Sequence, residues 1–375
     1  MIPLSKPNLG PEELKAAREV LKSGWLAHGP KNEELEEVFA KYIGVKYACT
    51  CNSCASALFL AVKALGIKGE VILPSFTFVA SANAVETAGA VPVFADINSH
   101  NFNLDPVSVE DKITRRTEAI MPVHVAGRPV DMGAIARIAK KHKLAIIEDS
   151  AQAIGAEYKG KKTGTFGLGC FSFFPTKNMT TGEGGMITTN DEKIAKLVKT
   201  MGAHGISKDT YAREKSKKPW LRAAILAGYN LRMSNILAAI GVEQFKKLDF
   251  MNNRRISHAV YLNKNLKELE IDIPYFEKDY RHVYQMYIIS VNPKMRDKMF
   301  KYLIKNNIAA TVFSDPPVHL QPYYRKKYGF KKGDLPKTEQ AAKSNIVLPM
   351  FPQLAKSDLD RIILVIKKFI KYGKD

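Results

Sequence analysis

From about residue 45 to residue 190, short β-rich runs alternate with helical patterns, and nothing else in the chain constrains its fold as tightly. The strand candidates are VILP at 71–74, VPVFADI at 91–97, AIMPVHV at 119–125, AIIED at 145–149, CFSFF at 170–174 and GMITT at 185–189. Helical patterns lie between several of them, as at 55–65 and 131–143. Apolar runs separated by helix-length connections predict an α/β fold, with a mostly parallel sheet between helices. A long helical pattern follows, from 235 to about 269. After it come YQMYIISV at 284–291, a helical stretch at 296–305, IAATVF at 308–313 and a closing helix near 357–370. These predict a smaller α+β domain over 251–375 after a large α/β domain over 1–250, with the N-terminal segment crossing back to the smaller one.

Composition narrows the function classes. Hydrophobic residues make up 46% and charged residues 25%, the balance of a globular protein. No apolar run approaches the ~20 residues needed to span a bilayer, so no membrane insertion is expected. The opening MIPLSKPNLG lacks a basic region followed by an apolar stretch, so a cytoplasmic location is expected. Lys plus Arg is 57 against 37 acids, a net charge of +20. The excess is spread along the chain, with small clusters at Lys215, Lys217 and Lys218 and from Arg325 to Lys332. No aromatic-interleaved motif or zinc spacing accompanies it, so a solvated basic surface is expected rather than a nucleic-acid site. The same field attracts an anionic substrate. Cys49, Cys51 and Cys54 are too close together for an ordinary disulfide framework. With Cys170 isolated and an alanine-rich helix pattern following Cys54, free thiols are expected and a metal is not.

Ligands of open α/β sheets gather beyond the carboxyl ends of the strands. AIIEDSAQ delivers Asp149 as its strand stops, and CFSFFPTKN carries Ser172 in its strand and Lys177 just past it. LPSFTF puts Phe76 and Phe78 beyond a third strand. Taken singly, an acid here reads equally well as a helix cap, a loop lysine as a solvated charge and a phenylalanine as core. Together they suit pyridoxal phosphate (PLP), which needs a lysine amine for a Schiff base and a carboxylate to keep its pyridine nitrogen protonated. The Asn52-Ser53-Cys54-Ala55-Ser56 turn, opening a helix, offers backbone N–H groups to a phosphate.

The segments FSFFPTKNMTTGEGG, IEDSAQAIGA, SGWLAHGPKNEELE, PSFTFVASANAV and GYNLRMSNILAAIGVEQ resemble the signature segments of the nucleotide-sugar aminotransferases. These are PLP enzymes of the aspartate-aminotransferase fold, fold type I. The likeness runs from about residue 3 to the late HLQPYYRKKYG and IVLPMFP segments. It implies Lys177 as the Schiff-base lysine and proton shuttle, Asp149 on the pyridine nitrogen and Gln152 near the ring hydroxyl. It further implies Phe78 stacked on the ring, Ser172 and the Cys54-Ala55 turn on the phosphate, and Asn230 reaching the cofactor of a neighbouring subunit in a homodimer. Many relatives carry Gly-Thr or Ala-Thr where this chain has Cys54-Ala55. Ser53 or Ser56 then supplies the missing hydroxyl, or the backbone suffices.

The activity implied is transfer of an amino group from an amino acid, with glutamate the usual donor, to a nucleotide-linked keto-sugar. Segments resembling enzymes that form 4-amino-arabinose and perosamine make a 4-keto sugar the first expectation. Relatives that catalyse sugar 3-dehydration replace the lysine by histidine, and Lys177 is present here. A non-catalytic binding protein on this fold would be expected to have lost the lysine or the aspartate. Trp25 is a candidate for the sugar-nucleotide entrance or a gap filler, and His319 a candidate substrate contact. His124 reads equally as a site residue or a core histidine, and His204 lies in a segment that matches the family. The stretch 207–220 matches nothing assignable, and such loops often set substrate choice.

Overall fold

The computed structural model describes residues 1–206, 220 and 222–372. The 207–220 loop, with the Lys215, Lys217 and Lys218 cluster, lies outside the described residues except for Trp220. Two helices, α1 (Pro11–Ser23) and α2 (Pro30–Ile43), precede the main sheet. Its strands in chain order begin with β1 (Tyr47–Cys51), β2 (Glu70–Pro74), β3 (Val91–Ala95), β4 (Thr117–Ile120) and β5 (Ala145–Asp149). The short β6 (Glu157–Tyr158) and β7 (Lys161–Lys162) form a separate hairpin, and β8 (Leu168–Ser172) and β9 (Gly185–Thr189) complete the sheet. The strand order is β1-β9-β8-β5-β4-β2-β3.

The pairs β2–β3, β2–β4, β4–β5 and β5–β8 are parallel, whereas β9 is antiparallel to both β8 and β1. Only β9 therefore runs against the rest. Crossovers are made by α3 (Cys54–Ala64), α4 (Ala80–Thr87), α5 (Pro106–Asp111) and α6 (Met132–His142). Every residue of β2 and β8 is buried, as expected of strands covered on both faces. A further helix, α7 (Glu192–Gly202), starts at Asp191, whose carboxylate accepts from the N–H groups of Lys193 and Ile194.

The structure corrects several details of the sequence reading. The Tyr47–Cys51 strand was not anticipated; Cys49 and Cys51 lie on it and, with Cys54 and Cys170, are free thiols packed in one apolar cluster. The run 119–125 is regular strand only as far as Ile120; Pro122 has no N–H to give, and pairing resumes as an isolated parallel bridge between Val123 and Asp149. The Pro122 carbonyl instead accepts from Asp149 N at 2.9 Å, and His124 N donates to Asp149 O at 3.1 Å. The long helical pattern after 235 is two helices, Asn235–Lys246 and Leu248–Leu266. They break at Lys247 (φ −96°, ψ −5°), whose ammonium is 2.9 Å from both Glu12 and Glu13 of α1.

A second assembly follows, with β10 (Tyr280–Arg281) added to the hairpin of β6 and β7. The antiparallel pair β11 (Tyr287–Ser290) and β12 (Asn345–Leu348) packs with helices Pro293–Lys305 and Lys356–Tyr372 around Tyr287, Leu303, Ile362 and Ile366. Ile2 joins that cluster, bridged to Ile308 by Ile2 N to Asn307 O and Ala309 N to Ile2 O, both 2.9 Å. The run 308–313 forms no strand, only isolated bridges from Ile308 to Ile2 and Thr311 to Val347. Residue 250 falls in the first turn of Leu248–Leu266. Leu248 and Met251 of that helix pack with Phe39 and Phe171, whereas Ala259, Leu262 and Leu266 pack with the second assembly. Among the described residues no helix is long and apolar enough to cross a membrane.

Candidate active site

The carboxyl ends of β1, β2, β5 and β8 open into one cavity of about 450 Å³. Because β1 is parallel to β8, the turn after it leads into α3 from the same side. Ser53 caps that helix, its Oγ accepting from Ser56 N at 3.1 Å. Ser56 Oγ in turn donates to Asn52 Oδ1 at 2.6 Å, so this hydroxyl is consumed in the cap. Ser53, Cys54 and Ala55 line the cavity at the positive end of the helix, where an anion is favoured. A close approach keeps the turn in place: a Cβ on Gly185 would lie 2.5 Å from the Ser53 carbonyl oxygen.

Asp149, at the end of β5, is only 5% exposed. Its Oδ2 accepts from Ser81 Oγ at 2.7 Å and its Oδ1 from Ala151 N at 3.1 Å. Gln152 Oε1 accepts from Ala126 N at 2.6 Å. After β8, Ser172 Oγ accepts from Phe174 N at 3.3 Å, and Lys177 N donates to Phe174 O at 2.9 Å. Burial lowers the Lys177 ammonium pKa from its usual value, opposed by Cys54 and Asp149. Burial likewise pushes the Cys54 thiol well up, so it stays protonated. Phe76 and Phe78 part company: Phe76 is fully buried against Phe102 and Phe313, whereas Phe78 is 66% exposed and lines the cavity.

Eight residues singled out from the sequence thus share one cavity: Ser53, Cys54, Ala55, Phe78, Asp149, Gln152, Ser172 and Lys177. The set fits PLP: a helix N-terminus and a hydroxyl for phosphate, a buried carboxylate for the ring nitrogen, an amine for the aldehyde, and an exposed aromatic face. Gln285 Oε1, on a residue that also lines the cavity, is buried and has no partner among the described residues, an orphan acceptor that a bound group would satisfy.

Three candidates lie elsewhere in the chain. Asn230 is exposed and accepts from Arg232 Nε at 3.2 Å, outside the cavity lining. Trp25 donates from Nε1 to His28 O at 3.1 Å and covers Gly29, where a Cβ would lie 2.2 Å from that nitrogen. His319 is fully buried, with Nδ1 2.7 Å from Ser75 Oγ and Nε2 3.4 Å from Glu339. Its burial lowers its pKa, and it ties the 318–320 turn to the end of β2 instead of facing substrate. His124 is a core histidine: Nδ1 accepts from Val130 N at 3.0 Å, so Nε2 carries the hydrogen toward Glu148, 3.2 Å away. His204 is exposed, its Nε2 3.4 Å from Arg232.

Sequence reasoning missed Ser81, Gln285 and Glu183, all of which line the cavity. Ser81 is separated from Asp149 by 68 residues, so no local pattern could have paired them. Glu183 lies in the GEGG segment that helped carry the resemblance, and was available there.

A model of the DegT/DnrJ/EryC1/StrS aminotransferase family matches residues 7–367. The chain is 38% identical to the spore coat polysaccharide biosynthesis protein SpsC of Bacillus subtilis, over 99% of this chain and 97% of that one. Among solved structures it superposes on the aminotransferase TlmJ of Streptoalloteichus hindustanus with a TM-score of 0.92, at 30% identity and full coverage of both chains. DesV of S. venezuelae, solved in complex with a ketimine intermediate, gives a TM-score of 0.92 at 32% identity, over 99% of this chain and 98% of that one. The chain belongs to the DegT/DnrJ/EryC1/StrS aminotransferase family of PLP-dependent sugar aminotransferases.

Proposed function

We propose that this enzyme moves the amino group of glutamate to a nucleotide-linked 4-keto-sugar, in the making of an amino sugar for a surface polysaccharide or related product. The observation that carries the reading is the meeting of Lys177, Asp149 and the α3 N-terminus on one cavity. The relative named for spore coat polysaccharide biosynthesis supports the pathway class.

When bound, the cofactor supplies an electron sink for the carbon bearing the amine. Asp149 keeps a proton on the pyridine nitrogen, and Ser81 and the Ala151 N–H hold that carboxylate in place. Lys177 holds the cofactor at rest. Its Nζ, freed when the donor arrives, takes the donor's α-proton and returns a proton in the second half-reaction. A lowered lysine pKa suits this role, because more of the amine is neutral and able to act as base. The Cys54 and Ala55 N–H groups with Ser172 Oγ bind the phosphate; of the two serines in the turn, Ser53 is the one that lines the cavity. Phe78 would cover the ring, and Gln152 would lie by its hydroxyl. Each subunit of a homodimer lends Asn230 to the phosphate of the other. The chain divides near residue 250 into a cofactor-binding part and a smaller part.

Purified holoenzyme incubated with glutamate and a panel of nucleotide-linked 3-keto and 4-keto sugars tests the reading. The expected products are 2-oxoglutarate and an aminated 4-keto substrate. Amination of 3-keto sugars alone overturns the ring position, and a deoxy product with no 2-oxoglutarate overturns transamination.

A further inference from the structure

A second cavity, of about 510 Å³, shares a wall with the cofactor cavity. The segment 282–286 belongs to both: His282 lines the second cavity, while Gln285 and Met286 line the first. The backbone of Ala126 joins them, since its N–H donates to Gln152 Oε1 at 2.6 Å and its carbonyl accepts from His282 Nε2 at 3.0 Å. A volume of this size is that of an ordinary small-molecule site.

Two buried polar side chains on this cavity are incompletely partnered. A carbonyl only accepts, so His282 Nε2 carries the hydrogen, and Nδ1 is a lone-pair acceptor with no partner among the described residues. Burial, the largest cause, takes the imidazole down to about 3 and keeps it neutral. Arg128, 5% exposed, donates from Nη1 to Tyr275 O at 3.2 Å and pairs through Nη2 with Glu277, leaving Nε–H without a partner among the described residues. A lone acceptor and a lone donor on one cavity match hydroxyl groups, which can serve as either. Asn98 and Asn101 spend their side-chain oxygens on the backbone of their own loop, which leaves NH₂ groups for a ligand. Phe102 and Ile288 supply apolar surface for the carbon face of a ring.

Charge narrows the class further. The Arg128 charge is already balanced by Glu277, whereas the exposed Asp272 carboxylate has no cation beside it among the described residues. An anion would be repelled there and an ammonium attracted. We propose that this cavity binds an amino sugar, the product class of the reaction proposed above, and that its occupancy is felt at the cofactor through the backbone at Ala126. A ligand drawing on His282 acts on the peptide that follows Ala126, and the peptide before it, joined through the same Cα, holds Gln152. Coupling of this kind is reciprocal, so cofactor state alters sugar affinity.

The test uses holoenzyme reduced with borohydride, so that an added amine cannot displace Lys177. Methyl glucosaminide and the uncharged methyl glucoside are titrated calorimetrically into the wild type, Asp272→Asn and Ser99→Trp, the last placing an indole in the cavity from an exposed loop position. The glucosaminide should bind the wild type, with about tenfold weaker binding for Asp272→Asn and for the glucoside. Ser99→Trp should abolish binding. In unreduced enzyme both variants should retain turnover, and any effect of the glucosaminide on turnover should need about tenfold more sugar in Asp272→Asn and vanish in Ser99→Trp. Equal binding of the two sugars, unchanged binding in the variants, or no heat at millimolar sugar overturns the proposal. If no keto-sugar is aminated yet Asp272-dependent binding persists, the substrate reading falls and the second site stands.

Discussion

Lys177 and Asp149, the residues proposed to carry the chemistry, each reach the cavity where a parallel strand stops, one directly and one through a short turn. Borohydride reduction of the holoenzyme followed by peptide mapping should label Lys177, and a label on any other lysine would remove it from its role. Asp149→Asn keeps one oxygen to accept from Ala151 N, and its new NH₂ can donate to Ser81 Oγ, so the cofactor should still dock. The charge on the ring nitrogen's partner is lost, and both half-reactions should slow by on the order of a hundredfold or more, as when one preorganised electrostatic partner is removed. Stopped-flow absorbance of each half-reaction measures this; near-normal rates would mean the ring nitrogen has another partner. Both residues were legible because an apolar strand ending in an acid, or in Pro-Thr-Lys, is a local signal. For His319, nothing local announces that Ser75, 244 residues away, sits against its Nδ1.

At the level of elements, the cavity depends on the parallel register of β5 and β8, which sets Asp149 opposite Cys170, two residues before β8 ends at Ser172. That pairing starts at a tight crossing, where a Cβ on Gly167 would lie 2.2 Å from the Ile146 carbonyl oxygen. Gly167→Ala should therefore push the two strands apart and cost about 1–3 kcal/mol, read as a lower urea midpoint at unchanged slope. The buried Glu148 carboxylate pins the same loop by accepting from the N–H groups of Gly164, Phe166 and Gly167. The sequence announced β5 and β8 through their apolar runs but hid β1, whose YACTC run is short and rich in cysteine. It also hid the break at Lys247, because the helical pattern continues across it and only the carboxylates of α1 mark the turn.

For the whole molecule, the open question of Asn230 becomes one of assembly. It is exposed and outside the cavity of its own chain, as a residue lent to a neighbour should be. Asn230→Asp should repel the phosphate and Lys177→Ala should remove the covalent anchor, so both homodimers should be inactive. Refolded together in equal amounts, they should form about half heterodimers, each with one doubly faulty site and one intact site. Activity should recover to about a quarter of the wild-type value. No recovery despite proven heterodimers would show that Asn230 serves its own subunit or no site at all.

The sequence by itself determined the mostly parallel sheet, the helices between its strands, and the residues waiting at the strand ends. Those features depend on hydrophobic period and on where it stops, which neighbouring residues encode. Only the tertiary structure decided that Ser81 holds Asp149, that Gln285 and Glu183 reach the cavity, and that His124 and His319 turn away from it. Each of those outcomes hangs on packing between segments distant in sequence, where a hydrogen bond forms because the fold brings two groups together and excludes water from both.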